Sequence, residues 1–253
     1  MTTTAILSAL AEEQHGLIEL LQQPQRLERA GRTFWRGRLG GQSVVLALSR
    51  MGKVAAATTT TTVIEAFGAD QVVFTGVAGG LAPGVQVGDV VVAQQFMQHD
   101  MDVSPLFARF EVPLYGRTLF DCDAGLSEHL FAAAQSYLGR AGRHAHQGQP
   151  AAGSAGLHRG LIASGDVFVG RAEQSSQLKA ILQLAGHLPL AVEMEGAAVA
   201  QVCFDYGVPF AAMRTISDRA DDQAHVDFTQ FVQEIASQYA RGIILELMSL
   251  LSK

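Results

Sequence analysis

Gln71-Val72-Val73-Phe74-Thr75, running straight into Gly76-Val77-Ala78-Gly79-Gly80, is the stretch that decides the fold. Its first five residues carry no charge, are mostly β-branched or aromatic, and stop at a glycine-rich turn. That is the pattern of a strand buried on both faces rather than on one. Such a strand needs helices above and below it. Just upstream, Lys53–Phe67 has the length and alanine content of a helix, although Thr58–Thr62 is a run of poor helix formers. Just downstream, Asp89–Ala93 (DVVVA) is a second strand of the buried type.

The same alternation continues outward in both directions. Thr4–Leu10 is expected as a strand and Glu12–Leu21 as the helix that follows it. Thr33–Arg38 and Ser43–Leu48 are expected as two strands around the Gly40-Gly41 turn. Towards the C-terminus come a strand at His158–Ser164, a helix at Glu173–Leu184, a short strand at Leu190–Glu193, a helix at Glu195–Tyr206 and a strand at Pro209–Ile216. A final helix is expected over Phe228–Leu250, with Phe228, Phe231, Val232, Ile235, Tyr239, Ile243, Leu247 and Leu250 at helical spacing and Asp227 with Gln230 as a capping box. Apolar strands separated by helices predict an α/β three-layer sandwich, a central mixed, mostly parallel sheet flanked by helices. No internal repeat is present. Arg140–Leu157 is polar and rich in small residues, which predicts a surface loop, and residues 1–253 are expected to form one domain.

Composition narrows the function classes. The chain has 253 residues, 48% of them apolar and 17% charged, enough for a large core. Twenty-four acids against 18 bases give a net charge of −6, with no basic stripe, so no nucleic-acid partner is expected. Cys122 and Cys203 lie outside any CxxC pattern, which removes a disulfide framework and a zinc site from consideration. The start MTTTAILSAL lacks the basic opening of a signal peptide, and no apolar run reaches the ~18 residues of a membrane span. A cytoplasmic protein with no membrane partner is the expectation. Gly76–Gly80 is not GxGxxG, Gly52-Lys53 lacks the rest of a P-loop, and GxSxG is missing. His144 and His146 fit a solvated loop better than a metal site. No metal or other cofactor is expected.

The informative feature is where acids follow apolar strands, because ligands of open α/β sheets gather at the carboxyl ends of strands. Glu12 and Glu13 follow the first strand, Glu193 and Glu195 flank Met194 after Leu190–Val192, and Asp218 follows Ala211–Ile216. Each alone is explained by helix capping or dipole complementation. Together they gain a second reading, since parallel neighbouring strands would bring their ends to one place. Glu193 and Glu195 cannot face the same way in an extended segment, so one of the two is expected to point into a shared pocket.

Five segments, in order, resemble a known family: Ala9–Glu13, the turn Thr75–Leu81 (TGVAGGL), Ser164–Phe168 (SGDVF), Val192–Glu195 (VEME) and Arg214–Asp218 (RTISD). Together they look like the 5′-methylthioadenosine/S-adenosylhomocysteine nucleosidases of the purine nucleoside phosphorylase-like superfamily, and the likeness covers nearly the whole chain. The resemblance implies hydrolysis of the N-glycosidic bond of an adenine nucleoside bearing a 5′-thioether. Glu13 matches the glutamate that activates the attacking water, and Asp218 the acid that protonates adenine N7. Glu195 matches the carboxylate that holds the ribose hydroxyls, with Met194 packed on the sugar. Phe168 and Val169 match the base-binding pair, and Val77, Ala78 and Gly79 belong to the substrate-facing turn. Leu10 and Phe228 match the lining of the 5′-thio slot. Asp100–Tyr115, with Phe107 and Pro113, resembles the stretch that reaches into the partner subunit's site, which implies a homodimer.

These residue types suit that chemistry. Adenine leaves easily only when protonated, the ribosyl fragment then gains oxocarbenium character, and water needs a base. A carboxylic acid that donates at neutral pH must have its pKa raised or gain its proton with substrate, which is the expectation for Asp218.

Two positions depart from the family pattern. Val77 stands where many members have the serine that supports the catalytic aspartate, and Arg50 stands where the family often has glycine. An arginine can grip phosphate, so a phosphorylase of the same fold is one rival; a carboxylate at position 13 would repel phosphate. A futalosine-type substrate and a non-catalytic nucleoside binder are the others.

Overall fold

The computed structural model describes residues 2–14, 16–144, 155–221 and 235–252, with side chains throughout except at 141–144. In chain order the elements are β1 (Thr3–Ser8), β2 (Gln22–Arg29), β3 (Arg32–Leu39), β4 (Gln42–Leu48), α1 (Lys53–Phe67), β5 (Gln71–Gly80), β6 (Val90–Gln98), β7 (Leu119–Asp121), α2 (Ala124–His144), β8 (Leu157–Ser164), α3 (Ala172–Leu184), β9 (Ala191–Glu193), α4 (Gly196–Tyr206), β10 (Phe210–Asp218) and α5 (Ser237–Leu250).

β5 is the hub of a mixed sheet. It runs parallel to β1 on one side, from Thr4↔Gln71 to Leu7↔Phe74, and parallel to β10 on the other, from Phe210↔Val72 to Asp218↔Gly79. Its last residues, Gly79 and Gly80, also pair antiparallel with Val192 and Ala191 of β9. β10 lies between β5 and β6, two strands adjacent in sequence. The β6–β8, β8–β9 and β1–β4 pairings are parallel, and β2–β3–β4 forms an antiparallel edge.

Strand alternation sends side chains to two faces. Ala5, Leu7, Val72, Phe74 and Ala212 pack with Ala56 and Val63 of α1 and with Ala197–Ala200 of α4. Ile6, Val73, Ala211 and Met213 pack on the opposite face with Leu130 and Ala134 of α2 and with Ile243, Leu247 and Met248 of α5. Each such large aliphatic side chain contributes about 1.5–3 kcal/mol on burial. The threonine run of α1 fits its helix because Thr58, Thr59, Thr60 and Thr62 donate their hydroxyls to the carbonyls of Val54, Ala55, Ala56 and Thr58 at 2.8, 3.1, 2.8 and 2.7 Å. Thr59 and Thr60 are thereby satisfied while fully buried.

Several expectations need correction. Glu12–Leu21 is not one helix. It forms two 3-10 turns, Glu12–Gln14 and Ile18–Leu20, interrupted near Gly16, whose φ of 80° lies in the left-handed region. The first strand stops at Ser8 instead of Leu10, and the glycine run after Thr75 is the continuation of β5 instead of a turn. α2 extends to His144, so the segment expected as a loop from Arg140 begins as helix; residues 145–154 lie outside the described residues, as do Asp227, Gln230 and the first turns of the expected final helix.

Candidate active site

The carboxyl ends of β1, β5, β9 and β10 converge on one pocket with about 590 Å³ of open space, and its walls are mostly apolar. Leu10, Glu13, Val77, Ala78, Gly79, Phe168, Val169, Met194, Glu195 and Asp218, all singled out in the sequence, line it. Ala9, Met51, Val167, Val192, Glu193 and Ser217 line it as well. Phe107 and Pro113 do not line this pocket; they lie in the connection between β6 and β7. Phe228 lies outside the described residues.

Glu13 sits in the first 3-10 turn after β1 and is 2% exposed. The turn folds its carboxylate back over its own backbone. Oε2 accepts hydrogen bonds from Ala9 N at 2.8 Å and Leu10 N at 2.9 Å, and Oε1 accepts one from Val77 N at 3.1 Å. Two opposing effects set its acidity. Burial pushes the carboxyl up from 4.5 to about 6, while the Leu10 amide, the Arg214 charge and the Ala9 and Val77 amides pull it down. Burial wins, yet the group is still ionised at neutral pH and can take a proton.

Glu193 and Glu195 divide two jobs between them. β9 ends at Glu193, and the chain turns through Met194 so that Glu195 precedes α4. Both carboxylates are buried. Glu193 forms a buried ion pair with Arg214 at 2.8 Å and also accepts bonds from the Gly196 amide at 2.9 Å and from the Ser164 hydroxyl. Arg214 is in turn saturated by the carbonyls of Phe74 at 3.2 Å and Met213 at 2.9 Å and stacks on the Phe74 ring. Glu195 Oε1 accepts a bond from Gly52 N at 2.7 Å. Burial first, and then the neighbouring Glu193 charge, push its carboxyl up from 4.5 to about 8. Both line the pocket, where only one was expected to, but they differ in what binds them: Glu193 is consumed by Arg214, and Glu195 is the carboxylate with capacity to spare.

Asp218 ends β10, where the register shifts against β5. Ser217 Oγ donates to its Oδ2 at 2.8 Å, and Ala220 N donates to its Oδ1 at 2.8 Å. That answers the departure at Val77: the neighbouring serine supplies a hydroxyl to the aspartate, while Val77 contributes its amide to Glu13. Gly79 permits the arrangement, since a Cβ there would stand 2.9 Å from Asp218 Oδ1 and 3.1 Å from Ala220 Cβ.

The SGD motif has a positioning role. Asp166 Oδ1 accepts the Lys53 amide at 2.7 Å, and Ser164 Oγ accepts the Ala197 amide at 2.8 Å, so one strand end ties the starts of α1 and α4 together. Gly52, Ser217, Met51 and Arg214 were not singled out as site residues. Gly52 and Met51 follow β4 in a segment whose sequence signals were a failed P-loop match and the departure from the family pattern at Arg50. Arg50 does not enter the pocket: its guanidinium donates to the Gly31 carbonyl at 2.5 Å.

Comparison with known proteins identifies the family. The model of the phosphorylase superfamily matches residues 3–249. A 5′-methylthioadenosine/S-adenosylhomocysteine nucleosidase of Actinobacillus succinogenes is 36% identical over 96% of this chain and 98% of its own. A solved nucleosidase of the same description from Neisseria meningitidis, in complex with methylthio-immucillin-A, superposes with a TM-score of 0.86 at 33% identity, covering 99% of this chain and 100% of the other. A futalosine hydrolase mutant of Helicobacter pylori superposes with a TM-score of 0.83 at 31% identity over 97% and 98%.

Proposed function

The chain belongs to the 5′-methylthioadenosine/S-adenosylhomocysteine nucleosidase family within the phosphorylase superfamily, and from that premise we propose that it hydrolyses the N-glycosidic bond of these two nucleosides, releasing adenine and the 5′-thioribose. The carrying observation is the convergence of Glu13, Glu195 and Asp218 on one mostly apolar pocket, with Glu13 held by three amides and no arginine among the described residues that line the pocket.

In this reading adenine lies against Phe168 and Val169, and Asp218 gives a proton to N7. The C1′–N9 bond breaks with its electron pair going to the base, which departs neutral. Glu195 holds the ribose hydroxyls and stabilises the positive charge that develops on the sugar, and Met194 packs on the ring. Water forms the new bond to C1′ and passes a proton to Glu13. Leu10 and Met51 give the thioether an apolar slot. Phosphate is a poor nucleophile here, because a buried carboxylate occupies the position where phosphate charge would have to sit.

A second copy completes the site. The segment Asp100–Tyr115, with Phe107 and Pro113, would close the 5′ end of the partner's pocket, and Phe228 would join the same slot. The exposure of Leu106 (78%) and Leu114 (92%) supports an apolar contact there. No helix among the described residues is long and apolar enough to cross a membrane, which fits action in the cytoplasm.

The test is product analysis with methylthioadenosine, with and without phosphate. Adenine and free methylthioribose in phosphate-free buffer are expected. A sugar 1-phosphate formed only with phosphate would move the chain to the phosphorylases. The futalosine hydrolase neighbour, as similar in fold as the nucleosidases, makes futalosine the second substrate to assay.

A further inference from the structure

Outside the pocket, three residues close a ring of hydrogen bonds at the start of α1. Lys53 N donates to Asp166 Oδ1 at 2.7 Å, Asp166 N donates to Asp100 Oδ2 at 2.9 Å, and Lys53 Nζ donates to Asp100 Oδ1 at 2.6 Å. None of the three lines the pocket. The ring ties the first residue of α1 to the chain just beyond β6 and just beyond β8. Lys53 Nζ also donates to Gln98 Oε1 at 2.9 Å, and Gln98 Nε2 donates to Gln201 Oε1 of α4 at 2.8 Å. The Lys53 and Asp100 side chains are only 16% and 26% exposed, so water screens their pair less than it would a surface one.

Gly52 and Lys53 present consecutive amides to two carboxylates, Glu195 at 2.7 Å and Asp166 at 2.7 Å. Gly52 has a φ of 92°, and a Cβ there would stand 3.2 Å from Asp166 Oδ1. A glycine has no side chain to hold its backbone, so the direction of its amide is set by whatever anchors the next residue. That anchor is the ring. The amide matters because Glu195, with its carboxyl near 8, is only about one-tenth ionised at pH 7. Around it, Glu193 and Glu13 favour the neutral form, while the Gly52 amide and Arg214 favour the charged one. The groups facing Lys53 hold their own charge state across the neutral range. Against burial, the Lys53 ammonium and the Asp166 amide keep Asp100 below the usual carboxylate range. Burial pushes His99, between Gln98 and Asp100, below 6.5 and so keeps it neutral.

We propose that Lys53 is a positioning residue for the reaction: through Asp100 and Asp166 it holds the Gly52 amide on Glu195, and so keeps that carboxylate charged for the developing ribosyl cation. The inference rests on the nucleosidase reading. Opening the ring anywhere frees the Gly52 amide to turn away. Glu195 then loses the bond that favours its ionised form and needs a higher pH to act.

The experiment measures kcat/KM for methylthioadenosine between pH 6 and pH 9 in wild type, Lys53→Met, Lys53→Arg, Asp166→Ala and the double variant Lys53→Met/Asp166→Ala. Methionine keeps the apolar stem of Lys53, and Asp166→Ala opens the ring from its other side, so either single variant reads the effect if the other folds poorly. Each should move the acid limb of the profile up by about one pH unit. That is a loss of about tenfold at pH 7 but only about twofold at pH 9. The double variant should lose no more than either single one, because the ring is already open. Lys53→Arg, which can still reach Asp100, should restore the wild-type limb. A loss that is uniform in pH, as a disturbed fold or partner contact would give, or a limb that stays in place, would overturn the role of Lys53 and leave the nucleosidase standing. Wild type that releases no adenine from either nucleoside would overturn the nucleosidase reading itself.

Discussion

Replacing Glu13 with glutamine should abolish adenine release and at the same time make the protein more stable, by an amount that depends on pH. Burial raises the Glu13 carboxyl from 4.5 in the unfolded chain to about 6 in the folded one. That is a difference of about 1.5 pH units, or about 2 kcal/mol. Because the folded-state value is the higher one, the stability linked to this proton is fully present below pH 4.5 and is lost as pH rises through about 6. Above that, wild type holds a buried charge that unfolding would return to water. Glutamine carries no charge at any pH. Its amide meets the Val77 N–H donor to donor, which costs about 1 kcal/mol, but that cost does not vary with pH and cancels in the comparison. The stability of Glu13→Gln minus that of wild type should therefore grow by about 2 kcal/mol between pH 4.5 and 7.5. For a chain of this size that is roughly 4–8 °C in Tm. Calorimetric melts of both proteins across the range, alongside an adenine-release assay, make the measurement. A difference that stays flat with pH would mean Glu13 is not desolvated as its surroundings require. Turnover near the wild-type rate in the variant would remove it from the reaction.

Two other perturbations follow from the same pocket. Asp218→Asn should keep the fold and lose adenine release, whereas Ser217→Ala, which deletes the 2.8 Å bond to Asp218 Oδ2 along with a long 3.4 Å one to the Ala78 carbonyl, should lower kcat about tenfold; steady-state rates with matched circular dichroism decide both, and a silent Ser217→Ala would separate that hydroxyl from the acid. Glu193→Ala should cost about 3–5 kcal/mol, because it strands the Arg214 guanidinium, 1% exposed, without its ion-pair partner; a urea midpoint close to wild type would show that the pair is not buried in solution.

The sheet was largely legible before any coordinates, since its strands carry the apolar runs that only burial on both faces explains. α1 and α3 were found within a residue of their ends, and α4 likewise. The errors share a cause. β2 reads QQPQRLER, a polar edge strand held by its hairpin partner, and no periodicity marks it. α2 is hard to read because glycines and polar residues interrupt the amphipathic pattern whose Leu126, Leu130, Ala133 and Ala134 reach the core. Glu12–Leu21 was misjudged because local composition favoured a helix while Gly16 and the demand of the Glu13 carboxylate for the Ala9 and Leu10 amides favoured a tight turn. In the site, side chains at strand ends were predictable. The partners that aim them were not: Gly52 meets Glu195 across 143 positions, and no local pattern encodes that contact.

The placement of β10 between β5 and β6 has a consequence for how the chain acquires activity. A growing polypeptide makes β5 and β6 early, but the slot between them stays open until Phe210–Asp218 is synthesised, more than a hundred residues later. Until then β5 presents a bare edge, a template for intermolecular pairing, and the non-local closure that removes it is intrinsically slow. The strand that seals this edge also delivers Arg214 to Glu193 and Asp218 to the pocket. Structural completion and catalytic competence thus arrive in one step, and a ribosome that stalls before residue 210 would release a chain that is both sticky and inert.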